Sequence, residues 1–179
     1  MLAGLLLAGP AHGYRLQATL EGELGPLWVT RASQVYLTLG RMQRDGLVGG
    51  RTVPQATRPA RQTFELTARG RDAARAWLDA PGQDGELVVR VAVARLLGLA
   101  TFTELLDAAS AAATAALRRL RALRAEVGGG LQREAVEAEI GRVQAELRWL
   151  ESVRERAEEI VAAPRGARPE RKERDARSA

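Results

Sequence analysis

The chain has 179 residues, 46% of them hydrophobic but only 4% aromatic, and 27 basic residues against 22 acidic ones give it a net charge of +5. The absence of cysteine and the single histidine, His12, exclude disulfides, thiolate chemistry, Cys/His metal clusters and a Ser-His-Asp triad. No stretch approaches the length of a membrane span, and Met1 to Ala11 lacks the basic start and long apolar run of a secretion signal, so a soluble, cytoplasmic protein is expected.

A core poor in aromatics must be built from Leu, Val and Ala, which favours helices. Leu2, Leu5 and Leu6 predict a first helix, ended by Gly9-Pro10. A second opens at His12-Gly13-Tyr14, turns Leu16, Leu20 and Leu24 inward, and breaks at Gly25-Pro26. Thr30 or Ser33 can cap a third helix. In that helix Val35, Leu39 and Met42 recur at i, i+4 and i+7, one stripe of a 3.6-residue period. Gln34, Thr38, Arg41 and Arg44 fall away from the stripe, and Asp45-Gly46 stops the helix. Gln and Arg can pair two-pronged with base edges, and Thr can meet a phosphate or a thymine methyl. Three short helices with a broken connector fit a helix-turn-helix.

Beyond Gly46 the pattern changes. Leu47-Val48 and Val53 predict one strand and residues 63–66 a second. The intervening residues 54–61 hold two prolines and read as a loop, which makes a β-hairpin wing. Thr67 should cap a fourth helix from Ala68 to Ala80, with Ala73, Ala74, Trp77 and Leu78 buried. Residues 81–85 are rich in turn formers and mark a domain boundary.

The remainder is helical. One helix is expected from about Glu86 to Leu97. A second should start at a capping box, Thr101 with Glu104, and extend to Val127. Gly128-Gly129-Gly130 should reverse the chain into a last helix from Leu131 to about Ala163. Leu117, Leu120, Leu123 and Val127 face Val136, Ile140, Val143, Leu147, Leu150, Ala157 and Ile160, whose spacing is heptad-like. The outcome is an antiparallel helical hairpin with more apolar surface than its own fold covers, for which dimerisation is the simplest answer. The acidic residues Glu134, Glu137, Glu139, Glu146 and Glu151 read as a solvated face, some paired with Arg142 or Arg156. Residues 164–179 are Arg-rich with two prolines and are expected to be disordered.

Charge divides along the same lines. Residues 1–80 carry a net +4, residues 81–163 a net −2 and residues 164–179 a net +3. An anion-binding module is therefore joined to one with another task.

Three segments in register resemble the PadR family of bacterial transcriptional regulators. They are His12-Gly13-Tyr14-Arg15-Leu16, then Gln34-Val35-Tyr36-Leu37-Thr38-Leu39 with Asp45-Gly46-Leu47-Val48, then Arg61-Gln62-Thr63-Phe64-Glu65-Leu66-Thr67-Ala68-Arg69-Gly70. The helical remainder is similar in layout to the family's dimerisation region, and Leu147-Arg148-Trp149-Leu150 looks like its Trp-bearing last helix. Three positions depart from the family pattern: Leu37 stands where proline is usual, Gly40 where a longer side chain is common, and Phe64 where tyrosine is common. The first helix is expected to be short by a turn.

The resemblance implies a fold class, mainly α with a small β-hairpin: a winged helix-turn-helix over residues 1–80 and an all-α dimerisation hairpin over 86–163. It implies a homodimer on a palindromic double-stranded DNA operator, with the third helix in the major groove and the wing near the phosphates. It also implies a repressor released by a small aromatic or amphipathic effector. Residues Arg31, Ser33, Gln34, Tyr36, Thr38, Arg41 and Arg44 are then expected at the DNA from the third helix, and Arg58, Arg61 and Thr63 from the wing. Trp77 and Trp149 are candidates for an effector pocket, while His12 reads as structural and Tyr14 as packed in the helix-turn-helix core or touching backbone. Neither a catalytic residue, a metal site nor a cofactor is expected. Two rivals are a winged-helix adaptor that binds protein instead of DNA, and an enzyme, for which no nucleophile–base pair or phosphate loop stands in the sequence.

Overall fold

The computed structural model describes residues 1–25, 31–53, 61–80 and 85–164. The expectations placed on Trp28, Thr30, the wing loop 54–60, residues 81–84 and the tail 165–179 lie outside these residues. The chain forms two compact units, residues 2–73 and residues 74–163.

The first unit is three helices and a small sheet: α1 Leu2–Leu6, β1 Ala11–His12, α2 Gly13–Leu24, α3 Ala32–Arg44, β2 Val48–Val53, β3 Arg61–Leu66 and the start of α4 Ala68–Asp79. The sheet is antiparallel in the order β1-β3-β2. Val48 pairs with Leu66 and Val53 with Arg61, while Ala11 pairs with Phe64 and His12 with Thr63. Leu16, Leu20, Leu24, Val35, Leu39, Val48, Phe64 and Leu66 are all buried, so the stripes read from periodicity are the ones that face inward. Each such Leu or Phe contributes about 1.5–3 kcal/mol by leaving water. Strand β1 was not expected. Two residues carry no alternation, and only pairing with β3 makes them a strand.

The structure changes three details. Helix α3 starts after Arg31, which caps it without a side-chain bond, so Ser33 lies inside the first turn instead of capping it. Tyr14 is 60% exposed and not part of the helix-turn-helix core. Ala73 faces solvent, whereas Ala74 and Leu78 are buried and Trp77 is half-buried.

The second unit contains the rest of α4, then α5 Leu87–Leu97, α6 Leu99–Glu126, α7 Leu131–Glu155 and α8 Ala157–Ala162. Only Gly98, with φ 117°, separates α5 from α6. Thr101 therefore sits within α6 and not at its cap, contrary to the capping box read in the sequence. Gly130, with φ 73°, completes the reversal into α7. Ala113, Ala116 and Leu117 of α6 pack with Val136, Ile140 and Val143 of α7, and Leu120, Val127 and Leu147 flank them. Leu123 is 43% exposed, so the seam opens on that side.

The last helix is also not continuous. At Arg156 the backbone amide bonds to Val153, three residues back, at 3.3 Å. The carbonyl of Ser152, which a continuing α-helix would give to that amide, accepts from the Arg156 Nε at 3.2 Å instead. The expected pairing of Arg156 with a glutamate gives way to this bond, whereas Arg142 does bridge Glu139 and Glu146. Arg95 of α5 donates to the carbonyls of Ile160 and Ala163 at 2.7 Å each, satisfying the frayed end of α8.

Candidate nucleic-acid interface

Helix α3 is fixed at three points, and each explains part of the sequence. The first is its contact with α2. A Cβ built on Gly13 would lie 2.8 Å from Tyr36 Cε1 and 3.3 Å from Leu39 Cδ1. Glycine at 13 thus lets the Tyr36 ring lie on the backbone where α2 begins, and this close approach ties the His-Gly-Tyr segment to α3.

The second point is its end. Gly46 adopts φ 68°, its amide bonds to Gln43, and the Leu47 amide bonds to Met42 at 2.8 Å. These two reversed bonds satisfy carbonyls that the helix leaves open, in the Schellman pattern. The third point is the start of α4. The Thr67 hydroxyl donates to the Gly46 carbonyl at 2.8 Å and accepts the Gly70 amide at 3.0 Å. The Thr67 amide donates to Leu47 at 3.1 Å, and Arg69 reaches the Asp45 carbonyl. A Cβ on Gly70 would overlap the Leu47 carbonyl. Thr67 therefore caps α4, as the sequence predicts, and also clamps the turn that ends α3.

What this scaffold presents is a polar, cationic helix face. Arg31, Ser33, Gln34, Arg41 and Arg44 are all exposed, and neither Arg41 nor Arg44 has an ion-pair partner among the described residues. Tyr36 is half exposed on the flank that meets α2. Thr38 is half-buried, and its hydroxyl donates to the Gln34 carbonyl at 2.8 Å. It stands at the edge of the face, with its one proton already engaged.

The wing joins this face through Gln62, whose amide donates to Gln43 Oε1 at 3.5 Å. Thr63 does not point outward as a wing contact would. It is half-buried, with its hydroxyl 3.2 Å from His12 Nδ1, and the same His12 nitrogen donates to the Gln62 carbonyl at 3.0 Å. His12 is thus structural, joining β1 to β3. Arg61 begins β3, and Arg58 lies outside the described residues.

The two tryptophans of the second unit have different surroundings. The Trp77 indole donates to Glu86 Oε2 at 2.6 Å. Trp149 lines an open cavity of about 310 Å³ with Leu87, Val88, Arg142 and Glu146. A larger cavity of about 430 Å³ is lined by Leu78, Leu87, Arg90, Thr101, Glu104 and Leu105, among others. Arg90 was missed in the sequence. It is buried, and its guanidinium donates to the Ala80 carbonyl beyond the end of α4. Among the described residues no group of His, Cys, Asp or Glu could hold a metal ion, and no helix is long and apolar enough to cross a membrane.

Comparison with known proteins gives three results. Residues 2–76 match the model of the transcriptional regulator PadR-like family. The negative transcriptional regulator PadR of Bacillus subtilis (strain 168) is 31% identical over 77 residues, a match covering 43% of this chain and 42% of that protein. The match thus spans less than half the length of that curated relative. Among solved structures, Bacillus subtilis PadR in complex with operator DNA is 22% identical, with 84% of this chain and 92% of that one covered and a TM-score of 0.41. The same protein in complex with p-coumaric acid is 20% identical over 87% and 95% of the two chains, with a TM-score of 0.38.

Proposed function

We propose that this chain, whose residues 2–76 match the transcriptional regulator PadR-like family model, represses transcription as a homodimer bound to a palindromic DNA operator, released by a small aromatic or amphipathic effector. The observation that carries this reading is the outer face of α3. Ser33, Gln34, Arg41 and Arg44 project from a helix held against α2 and clamped at its C-terminal turn, the rigid support that reading base edges requires. Arg31 at the helix start and Arg58 and Arg61 at the wing would hold phosphates, so affinity falls steeply with salt. Tyr36 would touch the backbone from the flank, while Thr38 and Thr63 support the interface from within.

Dimerisation is proposed for the helical region. Val88, Leu99, Leu123 and Leu131 are 41–85% exposed, apolar surface that a second copy would cover. Two copies then set the spacing of the two α3 helices, which must match one turn of the duplex. An effector bound in the helical region would change that spacing and so the affinity. The Trp149 cavity, with an aromatic and two aliphatic walls beside Arg142 and Glu146, suits a small planar ligand. Trp77, anchored to Glu86, would respond through α4. A protein of this kind works in the cytoplasm, without metal, cofactor or catalysis.

The test is binding of the full chain to the DNA beside its own gene, against an unrelated duplex, over a salt series. Arg41→Ala should weaken the specific complex by about tenfold or more, the worth of one good base contact, and the non-specific complex far less. Equal losses on both would remove Arg41 from base reading. Failure to bind any duplex at low salt would favour the adaptor reading, in which the same face meets protein.

A further inference from the structure

The outward line of α3 holds a residue that neither the core nor the cationic face explains. Ser33, Leu37, Gly40 and Arg44 follow one another at four, three and four residues, a single ridge opposite Val35, Leu39 and Met42. Leu37 sits in the middle of that ridge and is 59% exposed. Its polar neighbours on the helix, Ser33, Gln34 and Arg41, are exposed, as is Arg44 two turns on. An aliphatic side chain there adds nothing to the fold and faces water at the centre of a polar surface.

Gly40 is the second oddity. A Cβ at this position would find only Arg44 Nη1, at 4.0 Å, so no close approach within the protein calls for glycine. Inside a helix, glycine is disfavoured relative to alanine because it gives up more backbone freedom. At Gly13 and Gly70 the protein itself occupies the space a Cβ would need; at Gly40 that space is open. The ridge therefore has an apolar knob, Leu37, beside a notch at Gly40, which is half-buried and carries no side chain.

We infer that Leu37 and the Gly40 notch read thymine methyl groups in the operator's major groove. This rests on the DNA-binding reading given above. The arginines around the ridge commit the face to a polyanion, and on the base edges of a duplex the major groove's one apolar feature is the C5-methyl of thymine. Leu37 covers that methyl, and the missing Cβ at Gly40 lets the base edges come close enough for it to do so. Thr38, the helix's other candidate for such a contact, is half-buried at the edge of the face with its hydroxyl bonded to Gln34.

The experiment starts with selection of preferred duplexes from a random pool by the full-length chain. Each thymine of the selected site is then replaced by deoxyuridine, which removes the methyl and nothing else, and binding is followed by fluorescence anisotropy. One or two thymines per half-site should each lose about three- to fivefold in affinity, the worth of one buried methyl. Leu37→Ala should bind the methylated and unmethylated sites equally at those positions while keeping preferences elsewhere. Its exposure means the variant should melt like the parent protein. Gly40→Ala should weaken the selected site while its melting temperature holds or rises. A selected site with a flat deoxyuridine profile, or a Leu37→Ala protein that keeps the same methyl dependence, overturns the assignment alone. A pool that yields no enriched sequence overturns the DNA-binding reading and this assignment with it.

Discussion

The winged unit and the helical hairpin are held by different kinds of contact. In the winged unit a few positions are tightly specified. Gly13 lies under the Tyr36 ring, Gly70 lies against the Leu47 carbonyl, and Thr67 bonds two turns at once. In the hairpin the contacts repeat. Alanines and leucines of α6 meet Val136, Ile140 and Val143 of α7, and no atom lies within 4 Å of a Cβ at Gly128, Gly129, Gly130 or Gly141. A unit fixed by single points holds one surface rigidly, as a face that reads bases must be held. A unit fixed by repeated small side chains has many similar ways to pack, which fits the change of spacing proposed for it.

Substitutions can break that contrast, and the largest effect belongs to the winged unit. Gly70→Ala drives a methyl into a backbone oxygen that cannot move without unseating the α3 turn. Urea unfolding of the full chain should show a loss of about 3 kcal/mol or more; a loss under 1 kcal/mol would mean the α4 start is freely adjustable. Next comes Ile140→Ala at the hairpin seam, with an expected loss of about 2–4 kcal/mol. Because small neighbours can close on the cavity, it should fall in the lower half of that range, and a value at the top would make the seam as rigid as the wing. Thr67→Ala should cost about 1–2 kcal/mol through the lost cap, and Thr67→Ser should restore most of it, since the hydroxyl makes both bonds. The smallest effect has the opposite sign. Gly141→Ala, inside α7 with open space around it, should stabilise the chain by about 0.5–1 kcal/mol. A destabilisation measured at dimer-forming concentrations would place that face of α7 against a second copy.

Much of this was legible from spacing. The buried positions of α2 and α3 follow from a 3.6-residue period, and the cap at Thr67 from its place before an Ala-rich helix. The breaks at Gly46 and Gly130 follow from glycine's access to positive φ, whereas the sequence reading displaces the break at Gly98 to Thr101. Other features carried no local signal. Strand β1 is two residues long and exists only by pairing. The interruption at Arg156 comes from a side chain taking a backbone acceptor, with no proline or glycine to announce it. Arg90 reads as a polar gap in an apolar helix, and its burial depends on the Ala80 carbonyl being brought to it.

At the site the division is similar. Exposure of Arg41 and Arg44 could be read from their distance to the apolar stripe. The inward turn of Thr63 could not, because it depends on His12 arriving fifty-one residues earlier in the chain to bond with it.

The amino-acid order alone determined where most of the helices lie, which face of each is apolar, and that basic charge collects on the first eighty residues. Those properties depend on neighbours within a few positions, where backbone geometry and transfer from water act locally. The third dimension decided which polar groups remain available. Whether a hydroxyl or guanidinium is free depends on partners from distant segments, and no short-range pattern encodes who those partners are.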